Sequence, residues 1–169
     1  MAFWRSYAHI VWSTKYREPL IRPETEGQLY ACLVDKAAEL DCCIHAVGGV
    51  ADHIHLVISI PPKHSVAWVV KNLKGSSSHL MNHGAFAGSQ HFAWQRGYGY
   101  LTLGEKQCEA AVAYVLNQKQ HHQNGMTNSW LEKTNDEEGE VSDSGVTAIK
   151  PRTLREPSLS YVVEDDLPF

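Results

Sequence analysis

The sequence predicts an α+β fold: a ferredoxin-like split βαβ sheet (βαββαβ, antiparallel) with one added C-terminal helix. Three observations lead to it. Strand-like and helix-like segments follow in the order strand, helix, strand, strand, helix, strand, helix. The second and third strands are separated by a short connection, as in an antiparallel hairpin. Each helical segment carries one apolar stripe, the pattern of a helix that covers one face of a sheet.

Residues Phe3 to Ser13 are rich in aromatic and β-branched types and read as the first strand. Lys15-Tyr16-Arg17-Glu18-Pro19 forms a basic exit loop. Pro23 opens the first helix, with Glu24 and Glu26 near its positive dipole end. Leu29, Leu33, Ala37 and Leu40 give that helix its apolar stripe. Cys43 to Val50 is the second strand, with Gly48-Gly49 loosening its end, and Asp52 to Ile60 is the third, stopped by Pro61-Pro62. Ser65 caps the next helix, whose buried face is Val66, Val69, Val70 and Leu73; Gly75-Ser76-Ser77-Ser78 is a point of bending or interruption. After a Gly/Ala/Ser loop at 84–90, Phe92 to Leu103 reads as the fourth strand, with Phe92, Trp94, Tyr98 and Tyr100 at even spacing. Gly97 and Gly99 within it suggest a bulge or a close approach by backbone or ligand. A last helix runs from about Glu105 to His122, its apolar side formed by Ala110, Val112, Ala113, Val115 and Leu116.

Bulk properties set the limits. The 169 residues, 43% hydrophobic, suit one domain over 1–130 and an appendage over 131–169. The net charge of −4 hides an uneven distribution: residues 1–130 carry 11 Lys+Arg against 9 Asp+Glu, and residues 131–169 carry 4 against 10. The body is thus mildly basic, and the acidic tail reads as flexible, with Tyr161-Val162-Val163 as a possible docking strand. No run of ~18 apolar residues argues for a membrane span, and no signal-peptide pattern opens the chain, so a cytoplasmic protein is expected. Cys32, Cys42, Cys43 and Cys108 form no CxxC pair and read as reduced thiols, mostly core filler.

The chemistry concentrates in Asp52-His53-Ile54-His55. Alternation along a strand puts His53 and His55 on one face, with Ile54, Leu56, Ile58 and Ile60 on the other. Two neutral imidazoles so spaced can ligate one divalent ion; the alternative is a pair of ordinary half-exposed histidines. In the last helix Tyr114 and Gln118, at i and i+4, share a face, with His121 close to it and His122 turned somewhat around. A tyrosine offers a phenolate nucleophile, and a glutamine carbonyl offers a neutral third metal ligand. Asp52 is either a partner that orients one imidazole or a turn residue.

Together these motifs resemble the small single-tyrosine HUH transposases of bacterial insertion sequences (TnpA-like), which include the REP-associated tyrosine transposases. The resemblance runs from His9-Ile10-Val11-Trp12-Ser13-Thr14-Lys15-Tyr16-Arg17 to about His122. Between them lie Gly49-Val50-Ala51-Asp52-His53-Ile54-His55-Leu56-Val57, Leu73-Lys74-Gly75-Ser76-Ser77 and Trp94-Gln95-Arg96-Gly97-Tyr98-Gly99-Tyr100, and Tyr114-Val115-Leu116-Asn117-Gln118 follows. It implies a Mg²⁺ or Mn²⁺ site from His53, His55 and Gln118, with Tyr114 as nucleophile. It also implies cleavage and rejoining of single-stranded DNA beside imperfect hairpins, through a 5′-phosphotyrosine and a free 3′-hydroxyl. A homodimer, with the tyrosine acting in cis or in trans, and association with the bacterial nucleoid on DNA binding are part of the same expectation.

Lys15, Arg17, Arg22, Lys71, Lys74 and Arg96 are candidate phosphate contacts, each also readable as a solvated surface charge. Trp94 and Tyr98 either stack on bases or belong to the core. A two-histidine phosphoesterase needs a second His-x-Thr/Ser element, and the segments after His9, His64, His79 and His91 do not supply it. A rolling-circle initiator expects lysine where Asn117 stands, and a relaxase places its tyrosine before the histidines. The remaining rival is a domesticated hairpin-binding protein that no longer transposes.

Overall fold

The computed structural model describes residues 4–84 and 90–127. The acidic segment, including Tyr161-Val162-Val163, lies outside the described residues. The elements are β1 (Tyr7–Ser13), a 3-10 turn (Lys15–Arg17), α1 (Pro23–Glu39), β2 (Cys43–Val50), β3 (His53–Ser59), α2 (Val66–His83), β4 (Gly99–Leu103), α3 (Glu105–Leu116) and α4 (Gln118–Gln123). The four strands form one sheet in the order β2-β3-β1-β4, with every neighbouring pair antiparallel. This is the split βαβ arrangement, since β3 lies between β1 and β2.

The sheet is covered on both sides. On one face Ala8, Ile10 and Trp12 of β1 and Ile54, Leu56 and Ile58 of β3 meet Leu29, Leu33 and Ala37 of α1 and Val69, Val70 and Leu73 of α2. The expected stripes of both helices are the ones turned to the core, with Val66 at the start of α2 only partly buried. Ser65 accepts from the Trp68 amide at 3.3 Å and caps α2, supplying an acceptor that the helix start otherwise lacks. On the other face a smaller cluster joins Ala46 and Val57 to Ala111 and Val115 of α3. Every residue of β3 is therefore buried, so the histidine face is not half-exposed.

Four elements depart from the sequence reading. The first strand begins at Tyr7 rather than Phe3. Helix α2 runs unbroken through Gly75-Ser76-Ser77-Ser78. There Ser77 Oγ donates to the Leu73 carbonyl at 2.7 Å, and Ser76 and Ser78 bond back to Leu73 and Gly75 at 3.2 Å each. These hydroxyls settle on the helix's own carbonyls and do not draw the backbone out of it.

Of Phe92–Leu103 only Gly99–Leu103 is ladder; Trp94 makes a single bridge to Thr14. The preceding chain is held off the sheet by side chains of α2. Asn82 receives the Phe92 amide at 2.8 Å and donates to its carbonyl at 2.8 Å. Lys74 donates to the carbonyls of Gln95 (2.8 Å), Arg96 (3.3 Å) and Gly97 (2.6 Å).

The last helix divides at Asn117 (φ −98°, ψ 14°), whose amide turns to the Ala113 and Tyr114 carbonyls. All four cysteines are free thiols, but only Cys42 is buried and Cys43 is exposed, because Cys43 falls on the open side of the edge strand β2. Among the described residues no helix is long and apolar enough to cross a membrane.

Candidate active site

The covered histidine face is assembled from four elements. In β3, His53 and His55 are 1% and 0% exposed, with ring centroids 5.1 Å apart. Register places Ser13 and Val50 beside His53, and Val11 and Gly48 beside His55, so these side chains project to the same side. Over them lie Tyr114 from α3 and His121 and His122 from α4, and the buried Gln118 lines a cavity with Gly48 and Gly49 of β2. The Tyr114 ring is 6.2 Å from that of His55, and His121 stacks on Tyr114 at 4.7 Å. His122 is turned inward as well, against His53 at 4.8 Å.

Close approach of the tyrosine helix depends on β2. A Cβ at Gly48 would fall on the carbonyl oxygen of Val115, the residue after Tyr114. Gly48 therefore admits the end of α3 to the sheet beside His55, a tighter role than the loosened strand end its dipeptide suggests.

Each imidazole is held from behind at Nδ1. His53 Nδ1 lies 2.7 Å from Asp52 Oδ1. Asp52 sits in the turn between β2 and β3, so it is both a turn residue and an imidazole partner. The His53 hydrogen bond, opposed by burial and helped by the nearby Arg17 guanidinium, holds the Asp52 carboxyl below its usual value. Arg17 reaches Asp52 Oδ2 at 3.4 Å from a turn in which Tyr16 and Arg17 have positive φ (56° and 53°). Thr14 secures that turn, donating to the carbonyls of Glu18 (2.6 Å) and Asp52 (3.0 Å). His55 Nδ1 lies 2.9 Å from Nε2 of His9, a 1% exposed β1 residue that the motif reading left out of the site. The signal for it was available: His9 shares the alternation of Val11 and Ser13, and β1 pairs with β3.

Gln118 is 1% exposed, and both its amide oxygen and its nitrogen are buried without a hydrogen-bond partner. An unfulfilled buried polar atom costs about 1–3 kcal/mol, so a side chain with two of them has unmet capacity for a water or a ligand. Two imidazoles, each with a partner at Nδ1, and one amide oxygen would make a neutral donor set of the kind that suits a divalent cation. No cluster of three His, Cys, Asp or Glu side chains arranged for a metal occurs among the described residues, so a third protein donor beside His53 and His55 would have to be of another residue type.

The basic candidates fall into two groups. Lys15 and Arg17 border the site, with Lys15 over the exposed Tyr16 ring at 5.1 Å. Lys71, Lys74 and Arg96 belong to the opposite layer, lining a cleft of about 630 Å³ between α2 and the 91–98 segment. Burial pulls Lys74 down to about 8, and its ammonium is engaged by three carbonyls. Arg22 precedes α1. Trp94 packs edge-on to Trp12 at 5.9 Å and donates to Ser77 Oγ at 2.9 Å, and Tyr98 packs against the same core.

Comparison with known proteins agrees with this fold. The transposase of insertion sequence element IS200 from Salmonella typhimurium is 35% identical over 115 residues, covering 60% of this chain and 70% of that protein. The ISDra2 transposase TnpA of Deinococcus radiodurans is 27% identical over 117 residues, covering 65% and 81%. A solved structure assigned as a transposase from Deinococcus radiodurans R1 superposes with a TM-score of 0.57 at 27% identity, over 70% of this chain and 95% of that one. A REP-associated tyrosine transposase bound to a REP hairpin shares the fold, with a TM-score of 0.54 at 13% identity over 77% and 76%. The family model described as "Transposase IS200 like" matches residues 2–118, which span the sheet, the histidine strand, Tyr114 and Gln118, and the chain belongs to that family.

Proposed function

We propose that this IS200-like transposase cleaves and rejoins single-stranded DNA at hairpin-flanked ends through a 5′-phosphotyrosine on Tyr114. The observation that carries this reading is the buried Gln118 amide, without a hydrogen-bond partner on the face that holds His53, His55 and Tyr114. His53, His55 and Gln118 would hold Mg²⁺ or Mn²⁺, which when bound supplies charge to polarise the scissile phosphate. The Tyr114 phenol oxygen bonds to phosphorus as the P–O3′ bond breaks; the phenol gives up its proton to solvent, and the departing 3′-oxygen takes one up to become a 3′-hydroxyl. The phosphotyrosine conserves the bond energy, and a second 3′-hydroxyl attacks it to rejoin DNA and restore the phenol. Asp52 and Arg17 keep His53 oriented during both steps.

The Tyr114 ring is 6.2 Å from that of His55 in the same chain, a spacing compatible with action in cis. A homodimer remains part of the proposal from the family resemblance. The hairpin partner is carried over from the relative described with a REP hairpin. Lys15 and Arg17 are proposed phosphate contacts at the site, and Lys71 and Arg96 line the far cleft where another part of the DNA is expected.

The test is a labelled single-stranded hairpin substrate incubated with protein and Mg²⁺ or Mn²⁺. A covalent adduct with the native chain, falling to background with Tyr114→Phe and after chelation of the metal, is expected. No adduct with the native chain would overturn the nuclease reading in favour of hairpin binding alone. An undiminished adduct with Tyr114→Phe would move the nucleophile elsewhere.

A further inference from the structure

We infer that His9 is a positioning residue that holds His55 as its Nδ1–H tautomer, with the Nε2 lone pair turned into the site. The inference deepens the proposed metal site and rests on that reading for its purpose, but the tautomer stands or falls by itself.

The placement follows from the sheet. β1 and β3 pair with Val11 opposite His55 and His9 opposite Val57, so His9 and His55 are diagonal neighbours on one face. Diagonal side chains across an antiparallel pair come within reach when they are long or cyclic. The two rings are 5.1 Å apart and inclined by 33°, and His9 Nε2 lies 2.9 Å from His55 Nδ1. Both residues are buried, at 1% and 0% exposure, so water does not compete for this hydrogen bond. One proton is shared by the two nitrogens. With the proton on His9, His55 would carry its hydrogen on Nε2 and have no lone pair facing the site. With the proton on His55 Nδ1, His9 accepts and Nε2 becomes a donor of electrons.

The second arrangement matches the treatment of the neighbouring histidine. His53 Nδ1 meets the Asp52 carboxylate at 2.7 Å, and a carboxylate can only accept. The strand thus carries two imidazoles, each backed at Nδ1 by an acceptor on a different element, one anionic and one neutral. Loss of such a backing partner lowers metal affinity by about 10–100-fold.

The experiment uses the full chain labelled with ¹⁵N at histidine, together with His9→Leu and His9→Gln. Long-range ¹H–¹⁵N spectra of the metal-free native protein are expected to show His55 protonated at Nδ1. In His9→Leu that preference should collapse, whereas His9→Gln, which retains an acceptor oxygen, should restore it. Mn²⁺ titration should give a loss of about 10–100-fold for His9→Leu and recovery to within several-fold for His9→Gln. A native His55 protonated at Nε2 overturns the inference, and this reading does not depend on either variant folding. Native-like tautomer and Mn²⁺ affinity in a folded His9→Leu overturn it too. An Nδ1-protonated His55 in a native chain that binds no Mn²⁺ supports the role of His9 and overturns the metal site.

Discussion

Lys74 is a half-buried cation whose donors close the 95–97 segment onto α2. Burial lowers it to about 8 from its ordinary 10.5, so between those values the unfolded chain binds a proton that the folded chain has shed. Its linkage contribution therefore favours folding increasingly as pH rises across that window. Replacing it with methionine removes the titration. Native stability minus Lys74→Met stability, from urea melts at pH 7.5 and 10, is expected to become more favourable at the higher pH. A flat or falling difference would contradict the depressed value. Lys74 reads in the sequence as a candidate phosphate contact because the glycine and serines after it could also donate to phosphate oxygens; the carbonyls that engage it come from 21 to 23 residues away.

At the scale of elements, the meeting of β2 with α3 sets where the tyrosine stands. Gly48→Ala would set a methyl carbon against the Val115 carbonyl, which is backbone and cannot rotate aside. We expect this variant to lose about 1–3 kcal/mol in thermal or urea unfolding and to lose adduct formation more than tenfold. Equal stability and equal adduct yield would show that α3 does not need this contact. Gly75→Ala in α2 is the contrast, because its Cβ would meet nothing within 4 Å and the helix should gain slightly. The alternating apolar face of β3 and the three- and four-residue stripes of α1 and α2 were legible because each reports a local period. The extent of β4 was not, since it depends on Lys74 and Asn82 from α2, and no local period marks the joint at Asn117. His53, His55, Tyr114 and Gln118 were legible as a spaced motif. His9 needed the strand register, and the inward turn of His122 needed the joint.

For the whole molecule, three layers divide the labour. Helices α1 and α2 with their sheet face form the larger apolar core, and the opposite layer carries a small apolar cluster and the polar site. The family match ends at residue 118, and the charge changes sign beyond residue 130. We expect a chain ending at residue 130 to retain the native melting transition. Its affinity for single-stranded DNA should rise and fall more steeply with salt, because an acidic segment no longer competes with phosphate. Unchanged affinity and salt slope in a binding titration would remove any electrostatic role for residues 131–169.

The joint at Asn117 has a consequence for how DNA affinity is read. Tyr114 is 4% exposed and Gln118 1%, so under the proposed function a phosphodiester reaches them only if the packing over the site, α4 included, gives way. Only the entry-competent fraction of molecules binds at any moment, and the measured dissociation constant equals the intrinsic one divided by that fraction. A substitution in the joint that shortens the closed state's lifetime would therefore tighten apparent binding without touching a nucleotide.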